Sequence, residues 1–138
     1  MIASMRSRWV LAACLVPLSF PLSAEESPLK ATEVEVCEEI VDRACQGASR
    51  SFGPDVELVT FLTRIEGATG EAYVTHVWTF EGREVRRVKL PVKTSTYRTW
   101  SSKRVKGAPG KWRVEVLDPL GRSLGLVDFV VEPPREGP

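Results

Sequence analysis

From Glu57 to Glu132 the chain alternates apolar and polar residues with a period of two. The pattern restarts after each turn marked by Gly or Pro, and this constrains the fold more than any other feature of the sequence. A period of two places successive side chains on opposite faces of an extended strand, whereas a helix needs a period near 3.6. Glu57–Glu66 is rich in Val, Thr, Phe, Leu and Ile, the composition of a strand. Val74, His76, Trp78 and Phe80 share one face of the next run, and Glu81-Gly82 marks a hairpin turn. Val88, Leu90 and Val92 point inward on the strand that follows, with Arg87 and Lys89 outward; Pro91 confines that strand to a sheet edge or ends its pairing there. Further strands are expected at Tyr97–Val105, around Trp112, Val114 and Val116, and at Leu124–Glu132. Gly107-Ala108-Pro109-Gly110 and Asp118-Pro119-Leu120-Gly121 form the turns between them. With one more strand near the start, about seven short strands and no long helix predict an all-β fold. The expected form is a single antiparallel β-sandwich, immunoglobulin-like in the broad sense, over residues 32–132.

The first residues read as an address. Arg6 and Arg8 precede an apolar run from Trp9 to Phe20, and Leu22-Ser23-Ala24 ends in small residues before Glu25-Glu26. This is the layout of a secretory signal peptide over 1–24, cleaved after Ala24. Pro17 and Pro21 break the apolar stretch, which falls short of the roughly 20 residues a bilayer span needs. Leu11-Ala12-Ala13-Cys14 also resembles a lipobox, so a lipid anchor on Cys14 is the alternative to plain export. The expected location is periplasmic or secreted. Residues 25–31 then form a linker and residues 133–138 a polar tail without structure, and no further segment of the mature chain reads as a membrane span.

Two cysteines remain after cleavage, Cys37 and Cys45. An exported protein meets oxidising conditions, where pairing is the default. On one continuous helix their Cα atoms would lie roughly 12 Å apart, too far for a bridge. Val34, Cys37, Val41 and Cys45 fit helical spacing, whereas Val34 and Val36 fit a strand. A strand from about Thr32 to Val41, turning back before Cys45, is the preferred reading and permits the disulfide. The other is a pair of small buried thiols.

Certain runs are familiar in combination. They are Thr75-His76-Val77-Trp78, Tyr97-Arg98-Thr99-Trp100-Ser101-Ser102-Lys103, Pro109-Gly110-Lys111-Trp112-Arg113-Val114, Asp118 through Gly121, and Phe129-Val130-Val131. Together they resemble the domain of unknown function 2914 family, a bacterial domain, over roughly residues 34–132. The resemblance implies an all-β domain without established catalysis and names no substrate. Where that family is expected to carry a proline-bearing loop this chain has Cys45, so the disulfide is a local feature of this chain.

Catalytic chemistry finds little support. Gly121-Arg122-Ser123-Leu124-Gly125 matches the G-x-S-x-G nucleophile elbow. That motif requires a strand-to-helix turn and a His later in the chain. The one His, His76, comes earlier, and the setting is a hairpin. A small serine hydrolase is therefore the remote alternative, and turn chemistry at Gly121 with a bulge or close packing at Gly125 is the plain reading. His76 shares its face with large apolar residues and reads as a hydrogen-bonded core residue. No His/Cys spacing supplies the three or four ligands of a metal site, and no cofactor is expected. Trp78 and Trp112 read as core anchors.

Charge separates along the chain. Glu25 to Glu81 holds 12 acids and 4 bases; Arg83 to Arg113 holds 11 bases and one acid. The two regions could pair across neighbouring strands. Alternatively, Arg83, Arg86, Arg87, Lys89, Arg98, Lys103, Arg104 and Lys106 form a basic face. Outside the cytoplasm such a face meets an envelope protein or an anionic envelope polymer, not nucleic acid. The sequence therefore predicts a non-enzymatic binding module in a Gram-negative cell envelope, acting through residues 83–106. A carbohydrate-binding module using exposed Trp100 and Tyr97 is the alternative.

Overall fold

The computed structural model describes residues 12–19 and 28–136. Most of the signal-peptide reading, with its cleavage after Ala24, lies outside the described residues, as do residues 25–27 of the linker and 137–138 of the tail. Residues 12–19 are exposed and form no helix or strand, and Cys14 is a free, exposed thiol. Among the described residues no helix is long and apolar enough to cross a membrane.

The remainder is strand and turn. The elements are β1 (Lys30–Cys37), β2 (Glu39–Val41), β3 (Ala44–Gln46), β4 (Ser51–Phe52), β5 (Leu58–Glu66), β6 (Ala72–Phe80), β7 (Arg83–Val92), β8 (Thr96–Arg104), β9 (Gly110–Leu117) and β10 (Ser123–Val131). Seven of these have eight or more residues and match the strands expected from the alternation; β2, β3 and β4 are short additions. Three strands pair in the order β1-β5-β8 and five in the order β4-β10-β9-β6-β7. Two residues of β4 run parallel to β10, the exception to an otherwise antiparallel sandwich.

The expected strand through Val41 stops at Cys37. The chain bends at Glu38, and β2 and β3 form a separate hairpin. Its tip, Asp42-Arg43, has φ of 50° and 62° at both positions, the left-handed pair that a two-residue hairpin turn requires. The Cys37–Cys45 disulfide forms with a Cα–Cα distance of 5.6 Å and fastens this hairpin to the end of β1.

The alternation decides what lies between the sheets. Phe61 of β5, Trp78 of β6, Trp112 of β9 and Phe129 of β10 meet there, with ring centroids 6.4 Å apart for Phe61–Trp78, 6.3 Å for Trp78–Phe129 and 6.0 Å for Trp112–Phe129. Val59, Val74, Val114, Val116 and Val127 fill the space around them. Each such side chain taken fully from water contributes about 1.5–3 kcal/mol before chain entropy is counted. Gly125 permits the sheets to approach: a Cβ there would sit 3.1 Å from Val34 Cγ1, and the β9–β10 register shifts between Ser123 and Gly125. Pro91 lies on β7, an edge strand, where its missing N–H costs no ladder bond.

Candidate functional site

Two polar constellations stand out, one sealed in the core and one open to solvent. The buried one centres on His76, which is fully buried. Its Nδ1 lies 2.7 Å from Ser101 Oγ and its Nε2 lies 3.1 Å from Thr63 Oγ1. Trp78 Nε1 donates to Ser101 Oγ at 3.0 Å, and Thr63 Oγ1 donates to the Thr99 carbonyl at 3.2 Å. Counting donors assigns the tautomer. The Thr63 hydroxyl spends its one proton on Thr99, so it accepts from His76 Nε2–H. His76 Nδ1 then bears no proton and accepts from the Ser101 hydroxyl, whose oxygen also takes the Trp78 N–H. The network closes only with a neutral imidazole. Desolvation accordingly pushes the His76 pKa down to about 3. The ring also packs 4.6 Å from Phe61. His76 is therefore a core cross-link between the two sheets.

Ser123 does not join it. Ser123 pairs with Leu117, which pairs with Thr75, so Ser123 stands two strands from His76 on the outward face of the five-stranded sheet, and His76 points inward. Among the described residues no group of three or more His, Cys, Asp or Glu is placed to hold a metal ion.

The open constellation is the basic side. β7 and β8 are edge strands of different sheets; they touch, and residues 93–95 connect them. Their register sorts the cations predicted from the sequence. Arg87 and Lys89 pair with Val77 and Thr75 on the outward face. Arg86 pairs with buried Trp78, and Arg83 with Phe80, on the inward register at the open margin. The register shift between Trp78 and Thr79 adds Val85 to β7, and alternation across it does not hold. On β8, Arg98, Trp100 and Arg104 share the outward face with Arg64, Leu62 and Leu58, whereas Lys103 and Tyr97 oppose Val59 and Ile65 inward. Trp100 is 38% exposed. Trp100 and Tyr97 thus lie on opposite faces of β8 and do not form one platform. Trp78 and Trp112 are buried, as expected.

Part of the predicted charge pairing is present. Arg98 meets Glu33 at 3.6 Å, and Arg104 and Lys106 share Glu57 at 3.6 and 3.7 Å, whereas Arg87 bonds Glu84 of its own strand at 2.6 Å. These groups are all solvent-accessible, and such pairs hold little stability. Lys89 Nζ lies 3.8 Å from the centroid of the Tyr73 ring. Among the described residues Arg83, Arg86, Lys93 and Lys103 have no carboxylate partner.

Sequence reasoning did not single out Thr63, Ser101, Arg43, Arg64 or Lys93. Thr63 was detectable as the polar position between Phe61 and Ile65 on an inward face. Arg43 and Arg64 sit within the acidic half of the sequence, and only folding carries them to the basic half.

A family model described as "Protein of unknown function (DUF2914)" matches residues 71–131, which bears out the resemblance read from the sequence over that segment. His76, Trp78 and Ser101 fall inside the match and Thr63 outside it. No curated protein matches the chain. Among solved structures, the beta-glucosidase from Listeria innocua in complex with glucose is similar at a TM-score of 0.48 and 9% identity, over 76% of this chain and 16% of that one. The chain thus spans about a sixth of that enzyme's length, and the likeness carries no argument about activity.

Proposed function

The chain carries a DUF2914 segment over residues 71–131, and from that premise we propose that it is a non-catalytic, exported binding module of a bacterial cell envelope. Its contact surface is the side formed by β7, β8 and their connection, and its partner is an envelope protein or an anionic envelope polymer. The observation that carries the reading is the meeting of two cation-rich edge strands on one side of the sandwich. The ion pairs there are exposed, so an anionic partner can exchange for the internal carboxylates at small cost. Placement outside the cytoplasm draws support from the Cys37–Cys45 disulfide. A non-catalytic role draws support from the closed hydrogen-bond network around His76.

The test is co-sedimentation of residues 25–138 with Gram-negative envelope fractions at low and high salt. Binding is expected to weaken with salt, and the Arg86→Glu, Arg87→Glu, Lys89→Glu triple variant is expected to lose at least ten-fold in affinity. Binding indifferent to both salt and charge reversal removes the proposal. A glycan-binding role is the second reading, favoured by the exposure of Trp100 beside outward Arg98 and by its edge strand. A glycan array on which Trp100→Ala changes nothing excludes it.

A further inference from the structure

We infer that this protein has a phosphate-monoester site in the cavity between the β2–β3 hairpin tip and the start of β8. The inference deepens the reading of a basic contact side by naming a ligand class. The cavity has a volume of about 560 Å³ and is lined by Arg43, Arg64, Lys93 and Arg98, together with Tyr97 and two threonines. These four cations come from four places in the chain: the hairpin tip, β5, the β7–β8 connection and β8. The disulfide fastens the hairpin that carries Arg43. Like charges do not gather around one hollow without cost, and here they are incompletely neutralised. Arg64 meets Glu66 at 3.4 Å and Arg98 meets Glu33 at 3.6 Å. Neither carboxylate lines the cavity, and among the described residues Arg43 and Lys93 have no carboxylate partner. Four cations against two carboxylates leave a formal surplus of two positive charges, which a phosphate monoester, close to a dianion at neutral pH, matches.

A second observation points the same way. Arg98 Nε is buried and has no hydrogen-bond acceptor. A buried donor without an acceptor is costly, and guanidinium groups bind oxyanions through two parallel N–H···O bonds. Nε is closed to solvent while the guanidinium leans on Glu33, so a phosphate oxygen supplies the missing acceptor when Arg98 turns from Glu33 into the cavity. The cavity is larger than a lone phosphate requires, which leaves room for the group that the phosphate esterifies.

Titration calorimetry and thermal unfolding at constant ionic strength test the site, with inorganic phosphate, glucose 6-phosphate and glucose as probes. Both phosphates are expected to bind and raise the unfolding temperature, and glucose to do neither. Arg43→Gln and Arg98→Gln are each expected to weaken binding ten-fold or more, whereas Arg135→Gln, exposed beyond β10 and outside the cavity, binds as the parent does. Circular dichroism confirms that the variants fold; Arg43, on an exposed turn, is the safer of the two. Tighter binding of glucose 6-phosphate assigns the site to phosphorylated sugars, and equal binding assigns it to free phosphate. No binding of either phosphate, or parent-like binding by both cavity variants, overturns the inference. Phosphate binding without envelope binding leaves this site standing and removes the envelope reading; envelope binding without phosphate binding does the reverse.

Discussion

Replacing His76 by Gln should remove most of the acid sensitivity of this fold between neutral pH and about pH 5. In the folded chain the imidazole is neutral down to about pH 3, because burial disfavours its charged form. In the unfolded chain it takes up a proton near its ordinary pKa of 6.5. Between those values the unfolded state binds more protons, so stability rises with pH across the window. Stability is lost as pH falls below about 6.5 and levels off below about 3. The slope for one group is about 1.4 kcal/mol per pH unit, which gives a loss of about 2 kcal/mol between pH 6.5 and 5 and about 5 kcal/mol over the whole window. The upper range overlaps carboxylate titration little, so urea unfolding at pH 7, 6 and 5 isolates the effect. His76→Gln is expected to be less stable at pH 7, since it disturbs Ser101 and Thr63, but to have a flatter pH profile over this range. The chain holds one histidine, so its NMR resonance reports the titration directly and should show no midpoint above pH 4. A midpoint near 6.5, or equal pH slopes for parent and variant, would refute the buried-network account.

Two further outcomes rest on other parts of the molecule. Reducing the Cys37–Cys45 bond, which closes a separation of eight residues, should cost about 2–3 kcal/mol from the entropy of so short a loop, read as a lower urea midpoint with reductant; an unchanged midpoint would mean that the hairpin is held by packing alone. Asp118 is buried and accepts from Leu120 N, Arg122 N and Arg122 Nε at 2.8–3.0 Å. Asp118→Ala should therefore cost about 2–3 kcal/mol through the loss of charge-assisted bonds in the β9–β10 turn, and calorimetry showing less than about 0.5 kcal/mol would contradict it.

The strands were legible because each side chain's environment follows from parity within its own segment. Val74, His76 and Trp78 point inward whatever lies opposite, and Glu81-Gly82 adopts its turn from local backbone preference. The first strand was harder. Val34 to Cys45 carries both periodicities, and the bend at Glu38 that separates β1 from the hairpin has no turn residue of the Gly or Pro kind to announce it. Trp100, offered as an exposed aromatic only in the carbohydrate-binding alternative, is 38% exposed. Its supposed companion Tyr97 is three residues away, an odd number, and so faces the other side.

Short-range rules of spacing, backbone freedom and redox setting were enough for the fold class and for inward Trp78 and Trp112; they left Pro91 between an edge strand and a break in pairing, and Cys37 and Cys45 between a bridge and two buried thiols. Tertiary structure alone decided which polar groups meet. Thr63 and Ser101 reach His76 only because β5 and β8 face β6 across the core. Arg43 and Arg64 leave the acidic half of the chain to join Lys93 and Arg98 only because the hairpin and β5 stand beside the start of β8. Such meetings join residues as many as 55 positions apart, from Arg43 to Arg98. No local pattern encodes that distance; sheet order and register create it.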